Sequence, residues 1–254
     1  MTKQIALILT IFYSVLNLNA QQIKFRENLN KDSLFNVSVQ KVPLEMRENF
    51  IKTYKDGNEQ EKEFLLFMIS MPESSKKELI QNFVSKKSEI QKLKNEYIEL
   101  IPKDYNVEIE FKPRSEILTV EEEITIKIYN SKIGGGKLPK RNGLQVENNN
   151  WNLKPNSNEL AKVLKYLNWT NETLLNIKNL LKDANCISIG NGINTKIGFA
   201  RGGMGLYSYL IFNNNLSPKQ IEEYNNGCEY IFYKENVVLQ YGGGAIGPQC
   251  FEKE

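Results

Sequence analysis

Histidine is absent from the 254-residue chain. That gap alone excludes Ser-His-Asp and Cys-His nucleophilic catalysis, histidine-ligated zinc and imidazole as a general base. Cysteine is scarce: Cys186, Cys228 and Cys250 are the whole supply, and none sits in a Cys-x-x-Cys pair. Neither a thioredoxin-type redox site nor a zinc ribbon is therefore indicated. A strong charge of one sign is also missing, because 33 Lys and Arg face 30 Asp and Glu for a net +3. So weak a bias does not imply nucleic acid as a partner. Calcium loops with alternating Asp or Asn ligands do not occur. Gly134-Gly-Gly-Lys137 is not a phosphate loop, since no Ser or Thr follows the lysine. No metal or cofactor is expected.

What the chain does hold is enough apolar material for a core, 41% with 12 Phe and 12 Tyr. At the start, Lys3 precedes an almost wholly apolar run over residues 5–18, closed by Asn19-Ala20. This order predicts a secretory signal peptide over residues 1–20. The run is shorter than the ~20 residues a membrane-spanning helix needs, and no later segment is long and apolar enough. The mature chain is expected to be soluble and periplasmic or secreted, where a disulfide is plausible. Cys228 opens a predicted strand and Cys250 follows the strand that returns from its hairpin, which favours that pair; Cys186 remains an alternative partner. The third thiol is expected to be a small buried apolar group. Asn36, Asn168, Asn171 and Asn215 each head an Asn-x-Ser/Thr triplet, and the Lys/Asn/Ile-heavy composition suggests a bacterial chain.

Patterning predicts an α+β fold in two parts. A short helix over 43–56 leads to an apolar helix over 59–71, ended by Pro72. Ser75 and Glu78 have capping-box spacing and open a helix reaching residue 100. Its seam of Leu79, Phe83, Ile90, Leu93, Tyr97 and Leu100 has Lys86 in place of one apolar member. The simplest packing is a helical hairpin of 59–71 against 76–100. Period-two alternation in Val107-Glu-Ile109-Glu-Phe111 and Ile124-Thr-Ile126-Lys-Ile128 predicts two amphipathic strands. Together these make an N-terminal α+β domain over 21–130.

Residues 131–155, rich in Gly, Pro, Asn and Lys, read as a linker carrying Lys132, Lys137, Lys140 and Arg141. A C-terminal α+β domain follows over 156–254: two helices, then an antiparallel β-meander at 186–189, 196–200, 206–212, 228–234 and 237–241. A short helix opened by Ser217-Pro218 is inserted in it.

Catalytic patterns are thin. Ser74-Ser-Lys-Lys77 matches Ser-x-x-Lys without its companion motifs, and the carboxylates of Glu121-Glu-Glu123 and Glu222-Glu223 show no opposed pairing. The best binding candidates lie in the meander. Tyr207 and Tyr209 share one strand face, and an uncovered sheet would present them as a rigid amphipathic surface. Arg201 sits beside the glycines of Arg201-Gly-Gly-Met-Gly205, whose backbone N–H groups suit an anion. The expected function is an exported, soluble protein-binding module, such as a periplasmic inhibitor or toxin-immunity protein, with a protein partner in the envelope or extracellular space. The alternatives are a histidine-independent envelope hydrolase acting through Glu or Asp and a structural envelope component.

Overall fold

The computed structural model describes residues 24–130, 140–141, 144–242 and 249–251. The predicted leader, Lys132, Lys137 and the glycine-rich stretch after residue 242 lie outside the described residues. Two compact units form, one from residues up to 70 plus 115–119, the other from 71–114 and 120 onward.

The first unit is helical. Asn30 caps α1 (Lys31–Ser38) by accepting from Ser33 N–H, and a 3-10 turn (Val39–Lys41) leads to α2 (Leu44–Asp56). α3 (Glu59–Ile69) opens with a capping box between Asn58 and Glu61, worth about 1 kcal/mol. Phe25, Phe35, Val39, Leu65 and Leu66 form its core, and Phe35 stacks on Tyr54 at 3.8 Å. Burial, helped by the hydrogen bond to Asp32, pushes the Tyr54 phenol up to about 12. The returning segment 115–119 is held by Arg26 N–H to Ile117 O and Thr119 N–H to Lys24 O.

The second unit is a nine-stranded antiparallel sheet, in the order β3-β4-β2-β1-β5-β6-β7-β9-β8. Its strands are β1 (Tyr105–Lys112), β2 (Glu123–Asn130), β3 (Lys140–Arg141), β4 (Leu144–Leu153), β5 (Ser188–Gly190), β6 (Thr195–Gly202), β7 (Gly205–Ile211), β8 (Tyr230–Lys234) and β9 (Val237–Gly242). Helices α4 (Lys76–Ser85), α5 (Lys87–Leu100), α6 (Asn158–Tyr166) and α7 (Asn171–Asp183) bury their apolar sides with one face of this sheet. Leu79, Leu93, Ile126, Ile177, Ile197 and Tyr209 are among the core residues there. Among the described residues of this unit, the opposite face is covered at the β7–β9–β8 end, where α8 (Pro218–Glu223) follows the Ser217 cap and Ile221 packs with Leu210, Phe212 and Val238.

The α+β class and the C-terminal meander stand as read. Four details differ. The two arms of the expected hairpin, 59–71 and 76–100, fall largely in different units, Leu65 and Leu66 burying in the helical core while Leu79 and Phe83 bury with the sheet. The long helix breaks at Lys86, whose φ/ψ of −118°/24° ends α4; this is the position where the seam lacks an apolar side chain. The two expected sheets are one, joined by β1 to β5 pairing at Ile109–Ile189. Residues 140–141 and 144–153 of the supposed linker are strand, with β3 and β4 extending the sheet beyond β2. Register shifts in β4 and the positive φ of Asn152 interrupt its alternation, so a period-two search passes over it.

Cys228 and Cys250 form a disulfide, and Cys186 is free and buried. Burial pushes the Cys186 thiol up to about 12, although an Asn82 amide contact opposes the shift. Among the described residues, no helix is long and apolar enough to cross a membrane.

Candidate functional site

The uncovered middle of the sheet is where side chains of unlike chemistry converge. Along β1, Glu108 and Glu110 alternate with Val107, Ile109 and Phe111, so burying the apolar set under the helices turns both carboxylates outward. Lys127 lies directly across from Glu108 in the β1–β2 register, and its ammonium reaches that carboxylate at 3.6 Å. The same ammonium stands over the Trp151 ring, 4.6 Å from its centre. Trp151 remains 56% exposed.

Arg201 reaches this face through an irregularity. β6 pairs with β7 as Gly198–Ser208, then skips a residue to Ala200–Tyr207 and Arg201–Leu206. The bulge reverses the alternation and sets Arg201 on the outer face. Its guanidinium grips Glu110 with Nη2 at 2.6 and 2.7 Å from the two carboxylate oxygens and Nε at 3.1 Å. Two glycines keep the middle low. A Cβ on Gly190 would lie 2.6 Å from Glu108 Cγ, and one on Gly198 would collide with Ser188 and Leu206.

A largely polar row crosses seven strands through matched registers: Thr125, Glu110, Ser188, Gly198, Ser208, Gln240 and Tyr230. Thr125, Ser208 and Gln240 are buried, yet Thr125 Oγ1, Ser208 Oγ and Gln240 Oε1 have no hydrogen-bond partner within the chain. A cleft of about 470 Å³ opens over this region, lined by Glu108, Glu110, Thr125, Lys127, Trp151 and Arg201 among others. A second, of about 240 Å³, shares Glu108, Gly190 and Lys196 with the first and runs on to Tyr230 and Gln240. Burial raises the Tyr230 phenol to about 12, and neighbouring Glu229 adds to the shift.

Of the residues singled out from sequence, Arg201 belongs to this site, though bound to a carboxylate rather than beside an anion-binding loop. Tyr207 and Tyr209 do not. They are 3% and 0% exposed, because their strand face is the one beneath the helices. Tyr207 stacks on Tyr241 at 4.1 Å, and Tyr209 donates to Leu79 O at 2.7 Å. The expected tyrosine surface is corrected accordingly: the open face is the charged one. Its signal was present in the outward Glu108, Glu110, Thr125 and Lys127 alternation, while Trp151 was hidden in the supposed linker.

Glu108 and Glu110 sit on the same side of one strand, Glu108 held by Lys127 from the neighbouring β2 and Glu110 by Arg201 reaching across β5 from β6. They do not face one another across the cleft as a hydrolytic pair would. Among the described residues, no three Cys, Asp or Glu come together in a group suited to a metal ion. Comparison with protein-family models, curated proteins and solved structures finds no match.

Proposed function

We propose that the protein is an exported binding module that recognises a protein partner through the open middle of its sheet, without catalysing a reaction. An inhibitor or toxin-immunity role suits such a module. One observation carries this reading: a broadly exposed Trp151 stands beside cross-strand charge pairs fixed on rigid strands. Trp and Arg are the residue types most enriched among the anchors of protein interfaces. The strands hold these side chains in place before binding, so little ordering cost remains to be met on association. The disulfide and the apolar leader are consistent with export.

The test is partner capture from the native envelope or medium by the mature chain and by Trp151→Ala. Trp151 is exposed, so the variant keeps its melting temperature while partner recovery falls at least about tenfold, the loss of a 1–2 kcal/mol anchor. Equal recovery by both proteins would remove this face from the proposal.

A further inference from the structure

We infer, resting on the binding-surface reading above, that the smaller cleft, which continues this face toward Tyr230, seats an arginine side chain of the partner. Its volume of about 240 Å³ falls below the ~300–1,000 Å³ of small-molecule pockets and suits one long side chain. The floor holds an acceptor without a donor. Gln240 is 6% exposed and lines the cleft, and its Oε1 has no hydrogen-bond partner within the chain. Reversing the amide does not mend this. Its Nε2 donates to Glu229 Oε1 at 2.8 Å and to the Tyr230 hydroxyl at 3.2 Å, and a turned amide would set its oxygen against the carboxylate. Ser208, opposite Gln240 in the β7–β9 register, does not supply the donor either. A buried acceptor left unpaired is costly, so an incoming N–H gains more here than on an open surface.

The walls select the kind of N–H. Glu229 accepts from the Gln240 amide, and among the described residues no cation pairs with it. The other charges around the cleft are engaged already, Glu108 with Lys127 and Lys196 within the chain. With both set aside, Glu229 remains a carboxylate without counter-charge. Beside it Tyr224 and Tyr230 meet edge to face at 5.4 Å, which offers aromatic surface to a cation. Ile193 also lines the cleft and is 68% exposed, which suits the aliphatic stem of a long basic side chain. Lysine would bring the charge as a compact point. A guanidinium presents five N–H donors in one plane, so it can reach Gln240 Oε1 and the Glu229 carboxylate together while lying against a tyrosine ring.

The experiment titrates N-acetylarginine amide into the mature full-length chain. It is read by the proton–nitrogen NMR signal of the Gln240 side-chain amide, assigned by its loss in Gln240→Met. The signal should move saturably. N-acetylcitrulline amide has the same shape without the charge and should bind at least about tenfold more weakly. That comparison needs no variant. Glu229→Gln should weaken arginine binding about tenfold with an unchanged melting temperature, since its carbonyl oxygen still accepts from Gln240.

The citrulline probe or N-acetyllysine amide binding as tightly as the arginine probe would overturn the inference. So would undiminished binding by the folded Glu229→Gln variant. If the arginine probe leaves the Gln240 signal unmoved while Trp151→Ala still lowers partner capture, the arginine assignment falls and the binding face stands.

Discussion

Asn82 and Tyr209 show how single polar groups fix the helices over the sheet. Asn82 Nδ2 donates to Ala184 O and to the Tyr209 hydroxyl, each at 3.2 Å, while Asn185 Nδ2 donates to Asn82 Oδ1 at 2.9 Å. Tyr209 passes its own proton to Leu79 O, so α4, the turn after α7 and β7 meet in one network. Burial holds the phenol well above its usual value, with the Asn82 bond opposing that shift. Tyr209→Phe keeps the ring against Phe83 but removes the second hydrogen bond to the Leu79 carbonyl and leaves one Asn82 contact without its acceptor. The expected loss is about 1–3 kcal/mol in urea unfolding, against about 3–5 kcal/mol for Tyr209→Ala. A Phe variant as stable as the parent would show that water satisfies both groups. Neither variant should alter partner capture through Trp151, because the tyrosine lies on the opposite face of the sheet.

At the scale of elements, hydroxyl and amide caps made several helix starts readable. Ser75 and Ser217, with Pro218 after it, each accept from a first-turn N–H as their spacing implied, and Ser157 and Thr170 do the same for α6 and α7. Strands with strict alternation, β1 and β2, were equally plain. What escaped were the elements whose local pattern is broken: the eight-residue α1, β4 with its register shifts, and the bulge that turns Arg201 outward. The site suffered most from this. Its charged pairs were visible one strand at a time, but their meeting depends on register and on a one-residue slip that propensity does not encode.

The far edge of the sheet shows a further device. β8 would present unpaired N–H groups to another chain, yet Tyr230 N–H donates to Asn226 Oδ1 and Phe232 N–H to Asn225 Oδ1, at 3.0 and 3.1 Å. These side chains occupy donors that a second strand would use. Asn225→Ala with Asn226→Ala should cost only about 1–2 kcal/mol, since both bonds are exposed. The larger expected change is concentration-dependent self-association in light scattering. A variant that stays monomeric when concentrated would show that the asparagines do not guard this edge.

For the whole molecule, two separate cores imply two separable stabilities. The helical unit buries Phe25, Phe35, Val39, Leu65 and Leu66, while the sheet unit has the far larger cluster. Units with distinct cores unfold as distinct cooperative blocks, so calorimetry should resolve two transitions with the smaller unit melting first. The disulfide belongs to the sheet unit alone. It spans 22 residues of chain, which in the loop-entropy picture corresponds to about 3 kcal/mol. It also anchors the end of the described chain: Phe251 N–H donates to Cys228 O at 2.9 Å, and the Phe251 ring lies 5.8 Å from that of Tyr207. Cys228→Ser with Cys250→Ser should therefore lower the second transition and leave the first in place. The double variant also avoids the side reactions of a reductant. A parallel fall of both transitions, or one transition throughout, would mean that the units melt as one body. Cys186 supplies an internal control. Its buried, scarcely ionised thiol should react with a thiol reagent only as the second transition proceeds.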